Sequence, residues 1–436
     1  MSGQSAGSTA ESVPVLKRIG NRALRVPGSK SLTTRAIMLG ALGAGRFVLH
    51  QPLKSDDTEL LASAMSDIGV GVKWSTTKLV LHGVDGKPPH GASVNLGSGG
   101  TPSRFMIAAG SLAKEPVTVD GDARMRQRPI GELLTMLTML GVEFDGEKLP
   151  LTIDGSKVHG GTIDVPVTKS SQFISALMLI APFVDCGITL NCHLPVTSES
   201  YVDLTIDVLN TFGVEVQSNT SDSHRIITVP QTRITHCEVE IEPDASSAVY
   251  FAAVAALHEG MCITLEGLKL SSKQPDIAAI RHLGVIGADV RETDRGIQIT
   301  GTGTVKGFGD LDASGFPDAS LCMAAVAAFA DSPSRIYGLE TLPLKESDRI
   351  EVMARSLASV GCGVAMSETD LRITPIDDSM EPAAIDPAGD HRIAMAMAVL
   401  GTKRGGVSIV DTTCVSKSYP TFWSDLRSVY EGREES

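Results

Sequence analysis

The feature that most constrains this chain is a hidden period of about 72 residues. A helical pattern that stops at a glycine and leads into a short apolar stretch occurs at LLASAMSDIGV, LLTMLTMLGVEF, LTIDVLNTFGVEV, IRHLGVIGADV and VMARSLASVGCGV. The stop glycines are Gly69, Gly141, Gly213, Gly287 and Gly361, at intervals of 72, 72, 74 and 74. A weaker sixth copy, FWSDLRSVYEG, stops at Gly432, 71 residues further on. Each glycine sits where a helix ends in the left-handed conformation, which only Gly adopts without steric cost. The residues that follow alternate like a strand.

A second helix recurs with the same period. Its starts are marked by Ser29, Gly100, Ser171, Ser246, Ala319 and His391, at steps of 71, 71, 75, 73 and 72. These helices, such as DASSAVYFAAVAAL, are Ala-rich and apolar nearly all round, which predicts burial on every side. Six is too few and the unit too long for an ordinary solenoid. Two globular halves of three units each fit better, with a seam near residue 240, next to the Ser- and Thr-rich stretch Val216 to Cys237.

Composition narrows the function. The net charge of −13 argues against a nucleic-acid or anionic-membrane partner, and 4% aromatics leave little for base stacking. The seven cysteines are odd in number and form no CxxC pair, so buried, reduced thiols are expected rather than disulfides or zinc. The ten histidines show no ligand spacing, and no metal site is expected. No apolar run reaches the roughly 18 residues of a membrane span. The N-terminal MSGQSAGSTAES lacks the features of a signal or transit peptide and reads as a disordered tail. A cytoplasmic location is therefore expected.

The chemistry collects at the helix starts. Lys30 with Arg35, Arg104, Arg126 with Arg128, Arg349 and Arg392 are read as first-turn cations. There they oppose the helix macrodipole, a conflict that an anionic ligand would resolve. VPGSKSLTTR opens one such start, with Lys30, Ser31 and Arg35 expected at its mouth. It lacks P-loop spacing. NLGSGGTPSR brings a Gly-rich backbone, DARMRQRPIG packs three Arg into five residues, and KESDRI and GDHRIAM mix acid with base. Together they imply a polyanionic small-molecule site in an acidic protein.

The chain resembles the 5-enolpyruvylshikimate-3-phosphate synthase family, the 3-phosphoshikimate 1-carboxyvinyltransferases. The matching segments are PGSKSLTTRA, SDDT at 55–58, RMRQRPIG, SSQF, SESYVD, DASSAVYF, PDAS, KESDR and DHRIAMA, in family order from residue 27 to about 420. The resemblance implies an α/β fold of two inside-out domains, each of three βαβαββ units, hinged around a central cleft. It implies a first strand of the C-terminal domain after the tail within residues 1–26. An N-terminal domain on the shikimate 3-phosphate side would cover 27–243. A C-terminal domain, for phosphoenolpyruvate and cleft closure, would cover 244–436. The implied reaction transfers the enolpyruvyl group of phosphoenolpyruvate to the 5-hydroxyl of shikimate 3-phosphate, releasing phosphate through a tetrahedral intermediate. It serves aromatic amino acid biosynthesis. No metal or organic cofactor is implied, and a monomer is.

Carried over by position, the resemblance assigns Lys30, Gly100, Thr101, Arg124, Gln172, Arg349, Arg392 and Lys417 to phosphoenolpyruvate. It assigns Ser31, Arg35, Ser170, Ser171, Gln172, Ser198, Tyr201, Asp318, Thr341 and Lys345 to shikimate 3-phosphate. Cations suit a phosphate and a carboxylate, and hydroxyls with an amide suit a polyol. Asp318 is the expected base for the 5-hydroxyl. Glu346 is expected to handle the methylene proton, with Lys30 or His391 assisting.

Ser98, Phe105 and Thr341 depart from residues common in the family. Gly100 is retained, and because a larger residue there blocks glyphosate in this family, a glyphosate-sensitive enzyme is expected. The related transferase acting on UDP-N-acetylglucosamine uses a loop cysteine, and Gly110 to Arg128 contains none. A non-catalytic anion-binding protein would lose the carboxylates, but Asp318 and Glu346 are both present.

Overall fold

The computed structural model describes residues 10–377 and 381–431. The sixth stop glycine, Gly432, and most of the expected tail lie outside the described residues. The helices are α1 (Lys30–Leu42), α2 (Asp56–Asp67), α3 (Gly100–Gly110), α4 (Gly131–Met139), α5 (Ser171–Ile180), α6 (Glu199–Thr211), α7 (Ala245–Leu257), α8 (Ile277–Val285), α9 (Ser320–Ala327), α10 (Arg349–Ser359), α11 (His391–Arg404) and α12 (Phe422–Glu431). The chain divides into a continuous unit, Pro27–Glu242, and a split unit, Met1–Val26 with Pro243–Ser436.

The repeat is real in three dimensions. Odd-numbered helices are the buried ones: twelve of the thirteen residues of α7 are buried, which leaves it no solvent face. Even-numbered helices are amphipathic, as in α12, where Phe422, Leu426 and Val429 face inward at i, i+4 and i+7. Each unit has its own apolar core. In the split unit that core includes an aromatic cluster of Tyr250, Phe251, Tyr419, Phe422 and Trp423, with ring centroids 5.1–6.1 Å apart.

Among the described residues there are five four-stranded sheets and one three-stranded sheet. The four-stranded sheets repeat one plan: a parallel pair, which needs a helical crossover, then an antiparallel hairpin. Gly161–Val165 runs parallel to Ile188–His193, which pairs antiparallel with His224–Val229, itself paired with Gln217–Thr220. Both units close on themselves. Cys237–Glu240 returns to run parallel to Ala44–His50. In the split unit Asn21–Leu24 runs parallel to Cys262–Glu266.

The expected tail is shorter than the sequence suggested. Glu11–Val13 forms an edge strand antiparallel to Val407–Ile409, and Val13 is buried. Backbone pairing and one buried valine outweigh the polar character of the stretch. Nor are all thiols buried, because Cys186 is exposed and Cys237 and Cys414 are partly so; all seven are free. No helix of the described residues is long and apolar enough to cross a membrane.

The five described stop glycines all have φ between +82° and +130°. Two of them separate conformation from contact. A Cβ on Gly213 (φ +82°) meets nothing within 4 Å, whereas one on Gly141 (φ +85°) would lie 2.4 Å from the Lys157 carbonyl oxygen. Gly213→Ala is expected to cost about 1–2 kcal/mol of left-handed strain. Gly141→Ala should cost at least ~1 kcal/mol more in urea unfolding, because the contact adds to the strain. Equal losses would mean that the contact carries no weight.

Candidate active site

In the split unit, side chains from the starts of α10 and α11 and from three connecting turns form one charged cluster. Arg349 is the first residue of α10 and only 1% exposed. Its Nε donates to Asp390 Oδ2 at 2.7 Å, Nη1 to Asp318 Oδ1 at 2.9 Å, and Nη2 to Glu346 Oε2 at 2.9 Å. Arg392, in the first turn of α11, reaches Asp318 Oδ2 at 2.8 Å. Lys345 Nζ lies 3.5 Å from Asp318 Oδ1, and Lys417 Nζ lies 2.7 Å from Glu346 Oε1. So Asp318 holds three cations and Glu346 two.

These contacts resolve the dipole conflict in a way the sequence did not suggest. That conflict called for an external anion. In the structure the protein's own carboxylates hold the cations, and these helix starts are stabilised by ion pairs. The electrostatics follow. Burial works to raise the Asp318 carboxyl, but Arg392, Lys345 and Arg349 together hold it well below the usual carboxylate range. Burial would lower the Arg349 guanidinium, and Asp390, Glu346 and Asp318 outweigh it and raise it.

Asp390 caps α11, accepting from the Arg392 backbone N–H at 2.9 Å, and is fully buried beneath Arg349. His391, also fully buried, has Nδ1 3.9 Å from Asp390 Oδ1. Thr341 precedes the Leu342–Leu344 turn, and its hydroxyl is buried with no hydrogen-bond partner among the described residues. A buried, unsatisfied hydroxyl calls for an explanation, and a ligand oxygen would supply one.

The continuous unit carries the remaining candidates. Ser29 caps α1, and Lys30 begins it. Lys30 Nζ pairs with the buried Asp57 at 3.0 Å. Arg35 does not stand at the mouth as expected. It lies in the second turn of α1 and is 2% exposed. Its guanidinium donates to Thr205 Oγ1 at 2.8 Å, the Ser31 carbonyl at 3.0 Å, and Ser175 Oγ and the Tyr201 carbonyl at 3.3 Å each. Its partners in these bonds are neutral, and burial lowers it to about 10. Phe105 lies under it, with the ring centroid 5.6 Å from Cζ. Arg35 therefore ties Ser31 to the α6 segment that carries Tyr201. Ser198, just before α6, holds a left-handed backbone at φ +47°, a strain of about 1–3 kcal/mol for a non-glycine.

Ser170 caps α5, accepting from the Gln172 N–H at 3.3 Å, and Ser171 is buried beside it. Arg104, read as a first-turn cation, also lies in a second turn and is 2% exposed. Its Nη1 donates to Gln172 Oε1 at 2.6 Å, which turns the Gln172 amide NH2 away from Arg104. The three Arg of RMRQR separate. Arg126 leaves for the surface and makes a two-pronged pair with Asp120 at 2.6 and 2.9 Å. Arg124 is partly buried in the turn before Met125–Gln127, which is a connecting turn rather than a repeat-helix start. Arg128 is buried, donates to the Ser98 carbonyl at 3.2 Å, and lies against Gly100. A Cβ at Gly100 would come within 2.5–2.6 Å of its guanidinium. Thr101 follows at the partly exposed start of α3.

Sequence reasoning missed Asp390 and Asp57 as members of these clusters, and the packing of Arg128 against Gly100. Signals existed for the two carboxylates. Asp57 lies in the matched SDDT, and Asp390 stands at a helix cap before two basic residues. Nothing local to the sequence shows that Arg128 fills the space above Gly100.

With this geometry in hand, comparison with known proteins is decisive. The profile of EPSP synthase (3-phosphoshikimate 1-carboxyvinyltransferase) matches residues 19–426. The chain belongs to the EPSP synthase family. Among similar proteins, the 3-phosphoshikimate 1-carboxyvinyltransferase of Methanoculleus marisnigri is 37% identical over 93% of this chain and 96% of its own. That of a Janthinobacterium species is 34% identical, over 94% and 95%. The EPSP synthase structure from Acinetobacter baumannii superposes with a TM-score of 0.78 at 25% identity, covering 96% of this chain and 98% of that one. The enolpyruvyl transferase NikO from Streptomyces tendae shares the fold at a TM-score of 0.73 and 16% identity, covering 97% and 98%. EPSP synthase relatives thus carry the two-domain α/β architecture that the repeat implied.

Arg349 is the keystone of the split-unit cluster, and its loss would leave Asp390 buried without its main partner. Arg349→Met is expected to destabilise the protein by about 3–5 kcal/mol in urea or thermal unfolding. Lys417→Met, at the rim of the same network, should cost far less. Similar losses for the two would contradict the keystone role.

Proposed function

We propose that this chain transfers the enolpyruvyl group of phosphoenolpyruvate to the 5-hydroxyl of shikimate 3-phosphate and releases phosphate. The observation that carries the reading is the pair Asp318 and Glu346 set among Lys345, Arg349, Arg392 and Lys417. Addition needs the hydroxyl proton removed and the methylene carbon protonated. Elimination takes a proton from the new methyl group as phosphate departs. Two carboxylates under different charge loads suit these tasks.

Asp318 takes the hydroxyl proton in this reading. A carboxylate held well below its usual range is a weak base. Substrate anions change that. A phosphate or carboxylate on Arg392, Lys345 or Arg349 offsets the charge that depresses Asp318, and its proton affinity rises. The base then gains strength when the reactants are bound. Glu346 handles the methylene proton, with Lys30 or His391 assisting.

Within the split unit, Arg349, Arg392 and Lys417 take phosphoenolpyruvate, and Lys345 and the unpaired hydroxyl of Thr341 take shikimate 3-phosphate. Within the continuous unit, Lys30, Gly100, Thr101 and Arg124 take phosphoenolpyruvate. There Ser31, Ser170, Ser171, Ser198 and Tyr201 take shikimate 3-phosphate. Gln172 serves both, with its NH2 group as donor. Arg35, four of whose five N–H donors bond to the protein, orients Ser31 and Tyr201. The reading takes the enzyme as a monomer in the cytoplasm, a location that seven free thiols support.

Purified protein should release phosphate only when both substrates are present. Release from phosphoenolpyruvate alone, or none with both, would overturn the reading. Asp318→Asn and Glu346→Gln should each lower kcat by roughly 10²–10⁴-fold. Glyphosate should inhibit at micromolar levels, competitively with phosphoenolpyruvate. Insensitivity at millimolar levels would contradict the site. Gly100→Ala must push the flexible Arg128 aside. It should change stability by less than about 1 kcal/mol while raising KM for phosphoenolpyruvate. An unchanged KM would separate Arg128 from the site.

A further inference from the structure

Arg225 is a buried cation that the mechanism above does not use. It stands on the strand His224–Val229 of the continuous unit and is 7% exposed. Its Nε donates to Ser218 Oγ at 3.0 Å, Nη1 to Glu199 Oε1 at 2.6 Å, and Nη2 to Asp203 Oδ1 at 2.6 Å. Burial would lower this guanidinium, and Asp203 and Glu199 outweigh it and raise it. Glu199 is the first residue of α6 and Asp203 lies one turn further on. One strand arginine therefore grips two successive turns of the helix that carries Tyr201.

The grip falls beside a strained residue. Ser198 immediately precedes Glu199, holds φ +47°, and makes no side-chain cap hydrogen bond. A Ser before a helix ordinarily takes extended backbone and caps the first turn, so here that gain is forgone and strain is carried instead. Such strain persists only where the chain around it is held. Both flanks of Ser198 are held. The Thr197 hydroxyl donates to the Thr168 carbonyl, and Glu199 is paired with Arg225. Inside the turn the Tyr201 N–H donates to the Ser198 carbonyl at 3.0 Å. Arg35 meets α6 at the Tyr201 carbonyl and the Thr205 hydroxyl. Helix residues two apart point about 200° apart around the axis, so Arg225 and Arg35 hold opposite faces of α6.

We propose that Arg225 is a positioning residue for shikimate 3-phosphate. Its pairs with Glu199 and Asp203 clamp the start of α6, so that Ser198 keeps its left-handed backbone and Ser198 and Tyr201 stand ready for the ligand. Without the clamp, Ser198 relaxes in the free protein, and the ligand must restore it on binding. Apparent affinity then falls in proportion to the fraction of molecules still in the competent state. The bound complex is the same as before, so the loss falls on binding and not on turnover. The proposal rests on the reading that Ser198 and Tyr201 take shikimate 3-phosphate.

The test compares wild type with Arg225→Met, Arg225→Lys, Glu199→Ala and the double variant Arg225→Met with Glu199→Ala. The Glu199 and Asp203 side chains are 46% and 55% exposed, so water takes over their charges when Arg225 is removed and the variant should fold. The first readout is equilibrium binding of shikimate 3-phosphate, with steady-state kinetics beside it. Arg225→Met should raise Kd and KM for shikimate 3-phosphate at least about fivefold, the factor that matches the smallest strain of this kind. Its kcat, and its KM for phosphoenolpyruvate at saturating shikimate 3-phosphate, should change little. Arg225→Lys keeps the charge without the fork and should recover part of the affinity. The double variant should bind like Arg225→Met alone, because both changes break one clamp. The second readout is amide hydrogen exchange at Tyr201 without ligand, which should be faster in Arg225→Met.

An unchanged Kd in Arg225→Met, or equal losses in kcat and in the affinity for both substrates, would reduce Arg225 to a structural residue. Additive losses in the double variant would mean that Arg225 does not act through Glu199. Unchanged exchange at Tyr201 would overturn the clamp itself. If the wild type binds no shikimate 3-phosphate, the functional reading fails and the proposal with it, while faster exchange would still report the clamp. If Arg225→Met does not fold, Glu199→Ala decides, since it leaves Arg225 paired with Asp203; an unchanged Kd there would overturn the proposal.

Discussion

The guanidinium of Arg349 is the constraint on which the split-unit site depends. It is buried, sits at a helix start where the macrodipole opposes it, and survives because Asp390, Asp318 and Glu346 surround it. Asp390 is itself the cap of the next buried helix, so the ion pair joins α10 to α11. Arg392 and Lys417 extend the network from that frame. Removing Arg349 would leave Asp390 buried without its counter-charge, so the frame of the cluster is fixed before any ligand arrives. That rigidity is what preorganised electrostatics require.

The same arrangement limits the chemistry. Carboxylates that serve as counter-ions are poor bases, and Asp318 carries three cations. The site can therefore be stable and catalytic only if something else takes over those cations during turnover. In the proposed reaction an anionic substrate does so by its own charge, and binding and base activation become one event. The continuous unit works differently. Its buried Arg35 donates to hydroxyls and carbonyls and lies over the Phe105 ring, which makes it a girder for neighbouring contacts.

Much of this was legible in the chain. The stop glycines repeat because each ends an amphipathic helix in a conformation that side chains resist, and the structure shows positive φ at all five that it describes. The Ala-rich helices read as buried because they have no polar face. Asp318, Glu346, Arg349 and Arg392 came from motif resemblance, and the split unit brings them together. What escaped was pairing across long sequence distances. Nothing near Lys30 reveals Asp57, and nothing near Gly100 reveals that Arg128 occupies its missing side-chain space. Charges read as ligand-facing turned out to divide into surface pairs, such as Arg126 with Asp120, and interior struts, such as Arg35 and Arg104. The edge strand Glu11–Val13 was missed because backbone pairing, not side-chain pattern, holds it.

The central claim is that substrate anions turn Asp318 from a counter-ion into a base. The most direct measurement is a carboxyl carbon NMR titration, with Asp318 assigned through Asp318→Asn. It would be run on the protein alone and in the presence of both phosphoenolpyruvate and shikimate 3-phosphate under the slow Glu346→Gln background. The account predicts that Asp318 alone titrates well below an ordinary aspartate and that the substrates move it upward by about one unit or more. An Asp318 that titrates at the same pH in both samples would contradict it.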